Sequence, residues 1–550
     1  MRRVTLIFLL LLFCGVSHAQ FSLTGSDPGK VRWMSVDSPN FRIIYPVGED
    51  SLARVYGSWL EKTRTAVSWS SGMKIGEYYK RRMPVILHSF NPVSNASVAW
   101  APKRMDIYTT LDPYSPTPIR WEKLLAIHEG RHAAQMQAGA GGRNRFIGRL
   151  TGELFAGAAA GIYAGPTILE GDAVVTETAM TESGRGREAS FLNYLVPAFD
   201  CGDWRNYWRW SLGSEKHYTP DHYRTGYMLI SGMRVFFDDP LFTEEYFNRV
   251  KKGGFFLLKK NVKAASGMNL NRTFRAIQNN YHEIWTEEAR TRAPFMPSDQ
   301  VTAKPWRFVS YSGTVIDSEG MIWSKKSGLT ESRSLTANTP EGKETKVRPF
   351  ASYTSNLAYD KANGRILWSE GIAGRRWNLG GDSRIRFIRT DSPSTIHDLT
   401  KAGKYFNPAP SPDGKVVCSV EYPSAGGSRL VLLDSNDGSL VSKIEAPDSL
   451  QFTEPAFAGE RLFVAGLSDH GLGIYEISKE GGARLVLGPQ PVSLSCLKSL
   501  DRQTLTFVCD RTGVDEMYML DVDTRELRQV TSTRYGIASP VFNENRDTLF

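Results

Sequence analysis

Hydrophobic and polar positions follow two different patterns along the chain, and the pattern changes near residue 300. Residues 20 to about 297 mix short apolar runs, typical of strands, with stretches whose apolar side chains recur at helical spacing. From about residue 303, short alternating runs are separated by clusters of Gly, Asp, Asn, Ser and Pro at intervals that suit hairpins. We therefore expect a mixed α+β domain over residues 20–300 and an all-β domain over residues 301–550.

The N-terminal pattern predicts strands that lead into a long helix. Phe41–Tyr45 and Pro84–Leu87 are predicted strands, and Ser51–Val67 between them has the periodicity of an amphipathic helix. Val98–Thr110 is predicted to be a further extended segment. The apolar positions of Trp121–Gln137 then return every three or four residues, which predicts the helix.

One face of this predicted helix carries two histidines. The inward apolar stripe formed by Trp121, Leu124 and Leu125 continues directly into His128 and His132, which belong to a His-Glu-x-x-His motif. Histidines four residues apart lie one helical turn apart, so both imidazoles can reach one ion. Glu129 lies about 100° around the helix and can reach a water beside that ion. The alternative is a chance match on a surface helix.

A zinc site of this type needs a third protein ligand. Pro166 suits the first turn of a second helix, and Glu170, Ala173, Val174 and Glu177 would share one face of it. We take Glu170 as the third ligand of a single Zn²⁺. Glu177, two turns further on, is interpreted as a partner of a ligand or as a surface charge.

His-Glu-x-x-His followed by Glu-Gly-x-Ala on a second helix resembles the gluzincin metallopeptidases, which include thermolysin and aminopeptidase N. The likeness covers roughly residues 35–240 and is greatest to the peptidase MA-like branch, in which a Phe-x-Ile/Val-x-Tyr strand comes early and another strand precedes the motif helix. The resemblance implies a zincin-type fold, metal binding by His128, His132 and Glu170, and general-base catalysis by Glu129. This chain departs from the family in Leu169 and in the 38-residue separation between His132 and Glu170.

Gluzincins also use a Tyr or His to stabilise the oxyanion. The resemblance therefore directs attention to a segment rich in these residues, with candidates His217, Tyr218, His222, Tyr223 and Tyr227. Tyr223 is our first choice for this catalytic role, because the role requires a donor at the metal. The alternative for each candidate is an aromatic ring packed in the core.

The C-terminal half contains a weak repeat. Phe406–Lys415, Phe452–Phe457 and Ile537–Phe542 each contain a Pro, and a strand-like run follows the first two copies. A period in the forties with four strands per unit predicts a β-propeller. The Ser-Pro-Asp-Gly turn at residues 411–414 resembles the TolB-like propeller repeat. The last copy reaches Phe550 in mid-blade, so either the chain is incomplete or an earlier strand closes the ring.

The first 19 residues have the pattern of an export signal. Arg2 and Arg3 precede an apolar run, and small residues end it at Ala19. We expect cleavage there and an exported protein in the periplasm, at the cell surface or outside the cell. Lipid attachment at Cys14 is a less favoured alternative, because the bulky Phe13 precedes it.

The charge distribution and the apolar runs limit the kinds of partner that we expect, and the cysteines allow one disulfide. The net charge of +9 is spread along the chain without a basic block, so nucleic-acid binding is not expected. No later run is long enough to span a membrane. Cys496 and Cys509 could pair in an oxidising compartment, and buried free thiols are the alternative.

Together these patterns predict an exported zinc peptidase that acts on peptides or proteins, with a propeller that can hold a protein partner. The main alternative is a non-catalytic binding protein whose zinc domain is structural or inert. A metal-dependent hydrolase of substrates other than peptides is a further alternative, because fold alone does not fix function.

Overall fold

A computed structural model describes residues 26–73, 81–115, 117–351, 353–478 and 480–550. The predicted signal segment and its lipid-attachment alternative at Cys14 lie outside these ranges. Within them, no helix combines the length and apolar character needed to cross a membrane.

The N-terminal domain is of mixed α/β type and is built on a five-stranded sheet with the order β1-β2-β3-β5-β4. Strands β2, β3 and β5 run parallel, whereas β1 and β4 are antiparallel edge strands. Ile43, Val85 and Ile107 are buried at its centre, which agrees with the apolar runs in the sequence. The strands are β1 (Trp33–Asp37), β2 (Phe41–Pro46), β3 (Met83–His88), β4 (Asn95–Trp100) and β5 (Lys103–Tyr108).

Helices form the rest of this domain. The predicted helices near Ser51–Val67 and Trp121–Gln137 are present and extend one or two residues further. Helices after β5 pack around a second core that includes Met228 and Phe274. The helices are α1 (Asp50–Ser68), α2 (Trp121–Gly139), α3 (Gly142–Thr151), α4 (Glu153–Ala164), α5 (Pro166–Met180), α6 (Ala189–Leu192), α7 (Leu195–Asp200), α8 (Tyr207–Leu212), α9 (His222–Phe236), α10 (Phe242–Lys252), α11 (Leu257–Ser266) and α12 (Leu270–Arg292).

The expected extended segment Val98–Thr110 is a hairpin and not one strand. Its first residues belong to β4 and its later ones to β5, with the break at Ala101 and Pro102. Proline has no N–H to donate to a strand ladder, so the chain turns there. The edge strand next to β5 is therefore β4, which begins at Asn95.

The C-terminal part is a β-propeller. Its described residues form five four-stranded antiparallel sheets, each built from consecutive strands, as the repeat predicted. The blades are β6–β9 (Val309–Ile316, Ile322–Gly328, Ser334–Asn338, Glu344–Pro349), β10–β13 (Ala358–Asp360, Arg365–Ala373, Gly381–Arg389, Ser392–Asp398), β14–β17 (Tyr405–Pro410, Val416–Glu421, Arg429–Asp434, Leu440–Glu445), β18–β21 (Gln451–Ala458, Arg461–Ser468, Gly471–Ile477, Ala483–Gln490) and β22–β25 (Leu494–Ser499, Thr504–Cys509, Glu516–Asp521, Leu527–Gln529).

Two expectations for the propeller, a third repeat copy that starts a blade and a disulfide between Cys496 and Cys509, differ from the structure. The third repeat copy does not lead into a blade among the described residues; it forms a single bridge between Phe542 and Leu549, and the Ser539 hydroxyl accepts a hydrogen bond from Gly313 N of the first blade. Cys496 and Cys509 are not bridged. Cys509 pairs with Leu494 across the strands, so the two thiols are out of register.

The propeller holds the segment that connects the sheet to α2. Tyr114 in this segment lies 3.2 Å from Ser369 Oγ, and Asn407 Nδ2 donates a 2.9 Å hydrogen bond to the Pro113 carbonyl. On the neighbouring loop, Lys404 Nζ donates to the Ser89 carbonyl. These contacts fix the start of α2 against the inner strands of the propeller.

Candidate metal centre

The structure brings His128, His132 and Glu170 together. The two histidines lie one turn apart on α2, and Glu170 lies on α5, which packs against α2. His132 Nε2 is 3.1 Å from His128 Nε2 and 3.1 Å from Glu170 Oε2, and His128 Nε2 is 3.4 Å from the same oxygen. Among the described residues, this is the group of His, Cys, Asp or Glu side chains with the spacing of a metal site.

These distances fit a tetrahedral zinc ion. Ligand atoms bound at about 2.0–2.1 Å with tetrahedral angles lie roughly 3.3–3.4 Å apart. The three separations in the site match that edge length to within a few tenths of an ångström. Two imidazole nitrogens and one carboxylate oxygen are also the donor set that catalytic zinc prefers.

The far side of each imidazole contacts a buried or partly buried polar side chain. Gln135 Oε1 lies 2.9 Å from His132 Nδ1, and Glu177 Oε2 lies 3.3 Å from His128 Nδ1. When His132 Nδ1 donates to Gln135 Oε1, the Nε2 of that ring keeps its lone pair free for a metal. The Nδ1 of His128 faces both the Glu177 carboxylate and, at 2.9 Å, the Arg185 guanidinium, which can only donate. Of the two interpretations of Glu177, the structure therefore supports a partner of a ligand, since this carboxylate is fully buried.

A second layer of contacts joins α2 and α5. Arg131, inside the motif, is buried and forms a two-pronged ion pair with Asp172 on α5, at 2.6 and 3.0 Å. Gln135 Nε2 also donates to Asp172 Oδ2 at 2.7 Å. Burial by itself would raise the pKa of Asp172, but the adjacent Arg131 guanidinium holds that pKa below its usual range. Asp172 is therefore linked through Gln135 to the imidazole of His132.

The glycine after Glu170 allows a close helix crossing. Helix α5 packs most extensively on α9, and a Cβ on Gly171 would overlap the backbone of Gly226 in α9. A Cβ on Gly226 would in turn overlap the Thr167 carbonyl. The glycine of the Glu-Gly pair therefore has a packing role, because it brings α9 next to α5.

We expect Gly171→Ala to destabilise the N-terminal domain by about 1–3 kcal/mol or more, since inserting a methyl into a backbone contact forces the helices apart. Thermal unfolding of the purified protein measures this. Gly161→Ala on α4 is the matched control, because nothing lies within 4 Å of its Cβ position. Equal melting temperatures for the two variants would contradict the prediction.

Glu129 lines one cleft of about 310 Å³ together with His128, His132 and Glu170. The Glu129 side chain is buried, and its Oε2 has no hydrogen-bond partner among the described residues. Burial raises the pKa of this carboxyl group above its usual value. Asn95–Val98 of the edge strand β4 form another wall of the cleft.

Of the five predicted oxyanion candidates, Tyr223 lines this cleft. Its ring centroid is 6.1 Å from that of His128, and burial raises the pKa of its hydroxyl to about 12. Tyr227 instead donates to the Gly186 carbonyl and packs on Phe191. The remaining three are outside the cleft lining, namely His217, Tyr218 and His222.

Sequence reasoning missed Arg185, which also lines the cleft. Its guanidinium pairs with Glu177 at 2.5 Å, lies 2.9 Å from His128 Nδ1 and stacks 5.0 Å from the centre of the Tyr223 ring. A signal was present, because Gly184 and Gly186 flank it. A Cβ on either glycine would overlap α5 or the Tyr227 ring, so the turn must pack tightly.

Neither a family model nor a curated protein matches the chain. Its structure is similar to solved structures that contain propellers. TolB from Acinetobacter baumannii is 16% identical (TM-score 0.32, covering 51% of this chain and 64% of that one), and the putative TolB from Agrobacterium tumefaciens is 12% identical (TM-score 0.34, covering 45% and 90%).

A puromycin-hydrolyzing peptidase from Mycobacterium tuberculosis is 13% identical, with a TM-score of 0.31, and the match covers 41% of this chain and 37% of that one. The match thus spans little more than a third of the length of that peptidase. At such low TM-scores, none of these likenesses bears on the activity of this chain.

Proposed function

We propose that this protein is a zinc-dependent peptidase of the gluzincin type, which acts after export from the cytoplasm. The observation that carries the proposal is the convergence of two imidazole nitrogens and one carboxylate oxygen, at mutual distances of 3.1–3.4 Å, beside the buried carboxylate of Glu129. The zincin resemblance of the motif helix and the Glu-Gly helix supports the same reaction class.

His128, His132 and Glu170 would hold the zinc ion. When bound, the ion lowers the pKa of a water molecule towards neutrality and polarises the carbonyl of the scissile bond. Glu129 accepts the proton of the attacking water at a carboxylate oxygen and passes it to the leaving amine. Tyr223 donates its hydroxyl proton in a hydrogen bond to the developing oxyanion.

The cleft favours an extended substrate. Strand β4 is an edge strand, and its residues Asn95–Val98 border the cleft. An extended peptide can pair with the free N–H and C=O groups of such an edge, which holds the backbone without reading most side chains. An extended peptide is therefore the substrate class that we propose.

The test is a joint measurement of zinc content and peptide hydrolysis. We expect about one Zn²⁺ per purified chain, cleavage of an unstructured peptide library, and loss of cleavage with a chelator. His128→Ala should lose both the metal and the activity. Retention of full zinc by His128→Ala and His132→Ala would place the metal elsewhere. A metal-loaded protein that cleaves no peptide would favour the non-catalytic binding protein.

Substituting each of two glutamates on α5 in turn distinguishes the proposed zinc ligand from the residue that supports it. Glu170→Ala removes a donor atom, so zinc affinity should fall further than in Glu177→Ala, which removes a partner of His128 Nδ1 and the counter-charge of Arg185. Changes to such partners typically cost about 10- to 100-fold in affinity. Competition with a chromophoric chelator measures both. The opposite order would show that the wrong carboxylate has been assigned.

A further inference from the structure

Large apolar side chains are exposed on neighbouring elements of the N-terminal domain. They come from α3, α4 and the loop that joins α10 to α11, and each is between 53% and 81% exposed. Isolated exposed apolar residues are ordinary on soluble proteins, whereas a cluster marks an interaction surface. We call this surface the basic–apolar face; its apolar members are Phe146, Leu150, Leu154, Ile162, Phe255 and Phe256.

The three contributing segments are neighbours in space. Helix α3 packs on α4, and both contact α10. A Cβ on Gly253, directly after α10, would lie 3.8 Å from Arg143 Nη1 and 3.9 Å from the Tyr163 hydroxyl. The loop that carries Phe255 and Phe256 therefore borders the start of α3 and the end of α4.

The loop presents two adjacent aromatic rings through an unusual backbone. Phe256 has a φ of 58°, in the left-handed region that bulky residues rarely adopt. Both rings are nevertheless largely exposed, so burial of these side chains does not compensate for the strain. The left-handed backbone at Phe256 thus sets how the two rings are displayed at the start of α11.

Positive charge surrounds these apolar side chains. Residues 142–164 and 252–260 contain six Arg or Lys and a single acidic residue, Glu153. Lys259 Nζ lies 5.2 Å from the centre of the Phe256 ring and 5.4 Å from that of Trp208. Exposed cations beside protruding aromatic and aliphatic side chains match an interface with anionic headgroups over an acyl layer. The exposed basic members of the face are Arg143, Arg145, Arg149, Lys252, Lys259 and Lys260.

We propose that the basic–apolar face docks the protein on an anionic lipid bilayer. The apolar side chains enter the boundary between headgroups and acyl chains, while the arginines and lysines remain among the headgroups. A second copy of the chain fits less well, because a two-fold interface would place the same cations opposite one another. Helix α4 also packs on β4, where Gly157 meets the Trp100 ring, so docking brings the edge strand of the metal cleft close to the membrane.

The test is co-sedimentation of the full chain with vesicles of phosphatidylcholine alone or mixed with phosphatidylglycerol. We expect binding to the anionic vesicles that decreases with added salt. The double variant Phe255→Ser and Phe256→Ser should bind at least about tenfold more weakly, since it loses both aromatic anchors. Arg143→Gln combined with Arg149→Gln should lose most of the preference for anionic vesicles.

Leu440→Ser combined with Val441→Ser is the matched control, because these exposed apolar residues lie on β17 in the propeller. This control should bind vesicles like the wild type. Failure of the wild type to bind anionic vesicles, or equal binding by the Phe255/Phe256 variant, overturns the proposal. Loss of a concentration-dependent dimer in that variant, without vesicle binding, assigns the face to a second copy instead. The assay needs neither zinc nor peptide, so its outcome is independent of the proposed peptidase activity.

Discussion

Glu129→Gln is expected to keep its zinc and to hydrolyse peptides about 10²- to 10⁴-fold more slowly than the wild type. The amide has nearly the same volume as the carboxylate, so the buried position remains filled. It cannot accept the proton of the attacking water, which is the step assigned to Glu129. Peptide affinity should persist, because the edge of β4 and the metal ligands are unchanged.

Initial rates and metal content, measured on the same preparation, check this result. Glu182→Gln is the matched control, since it makes the same chemical change at an exposed carboxylate beyond the end of α5. The control should retain wild-type activity. If Glu129→Gln is fully active, another group is the base, and if it loses zinc, Glu129 has a structural role at the site.

The parts of the site that were predictable are those set by local helix geometry. Histidines at positions 128 and 132 must lie one turn apart on any helix, so the motif alone brings their imidazoles together. Helical phase on the segment after Pro166 likewise selects Glu170 and Glu177 for one face. His128, His132 and Glu170 line the assembled cleft, and Glu177 lies behind it against His128.

The parts that were missed depend on contacts between distant segments. Arg185 reaches the cleft because Gly184 lets its turn pack on α5 and Gly186 lets it pack on the Tyr227 ring. The two glycines mark a tight turn in the sequence, but they do not specify which elements that turn packs against. Asp172 has the sequence pattern of an ordinary helix residue. Its importance comes from a buried arginine that is 41 residues away in sequence.

The fold shows the same contrast between features that follow from the local sequence and features that depend on distant segments. The propeller repeat follows from turn residues at regular intervals, and the five described blades agree with it. The sequence pattern of Val98–Thr110 predicts one extended segment where the structure has a hairpin, because a short apolar run carries little information on where a chain reverses. The possible pairing of Cys496 with Cys509 failed for a related reason, since register depends on neighbouring strands.

Asp172→Ala is expected to lower the free energy of unfolding of the N-terminal domain by about 3–5 kcal/mol, because it leaves a buried guanidinium without its counter-charge. Arg131 would keep its hydrogen bonds to the carbonyls of Val67 and Ser70, at 2.8 and 3.2 Å, but no anion would remain against it. Gln135 would also lose an acceptor, so the orientation of His132 should loosen and zinc affinity should fall with stability.

Denaturant unfolding followed by metal titration measures both effects, with Glu287→Ala as the control. Glu287 pairs with Arg290 on the exposed surface of α12, where both side chains are more than 60% exposed, so its loss should cost less than about 1 kcal/mol. The double variant Arg131→Met and Asp172→Leu should regain part of the lost stability, because it removes the buried charge of Arg131 together with that of Asp172. The recovery should stay incomplete, because Arg234, 3.4 Å from Asp172 Oδ1, also loses its counter-charge. If Asp172→Ala is no less stable than Glu287→Ala, the ion pair does not hold the two ligand helices together.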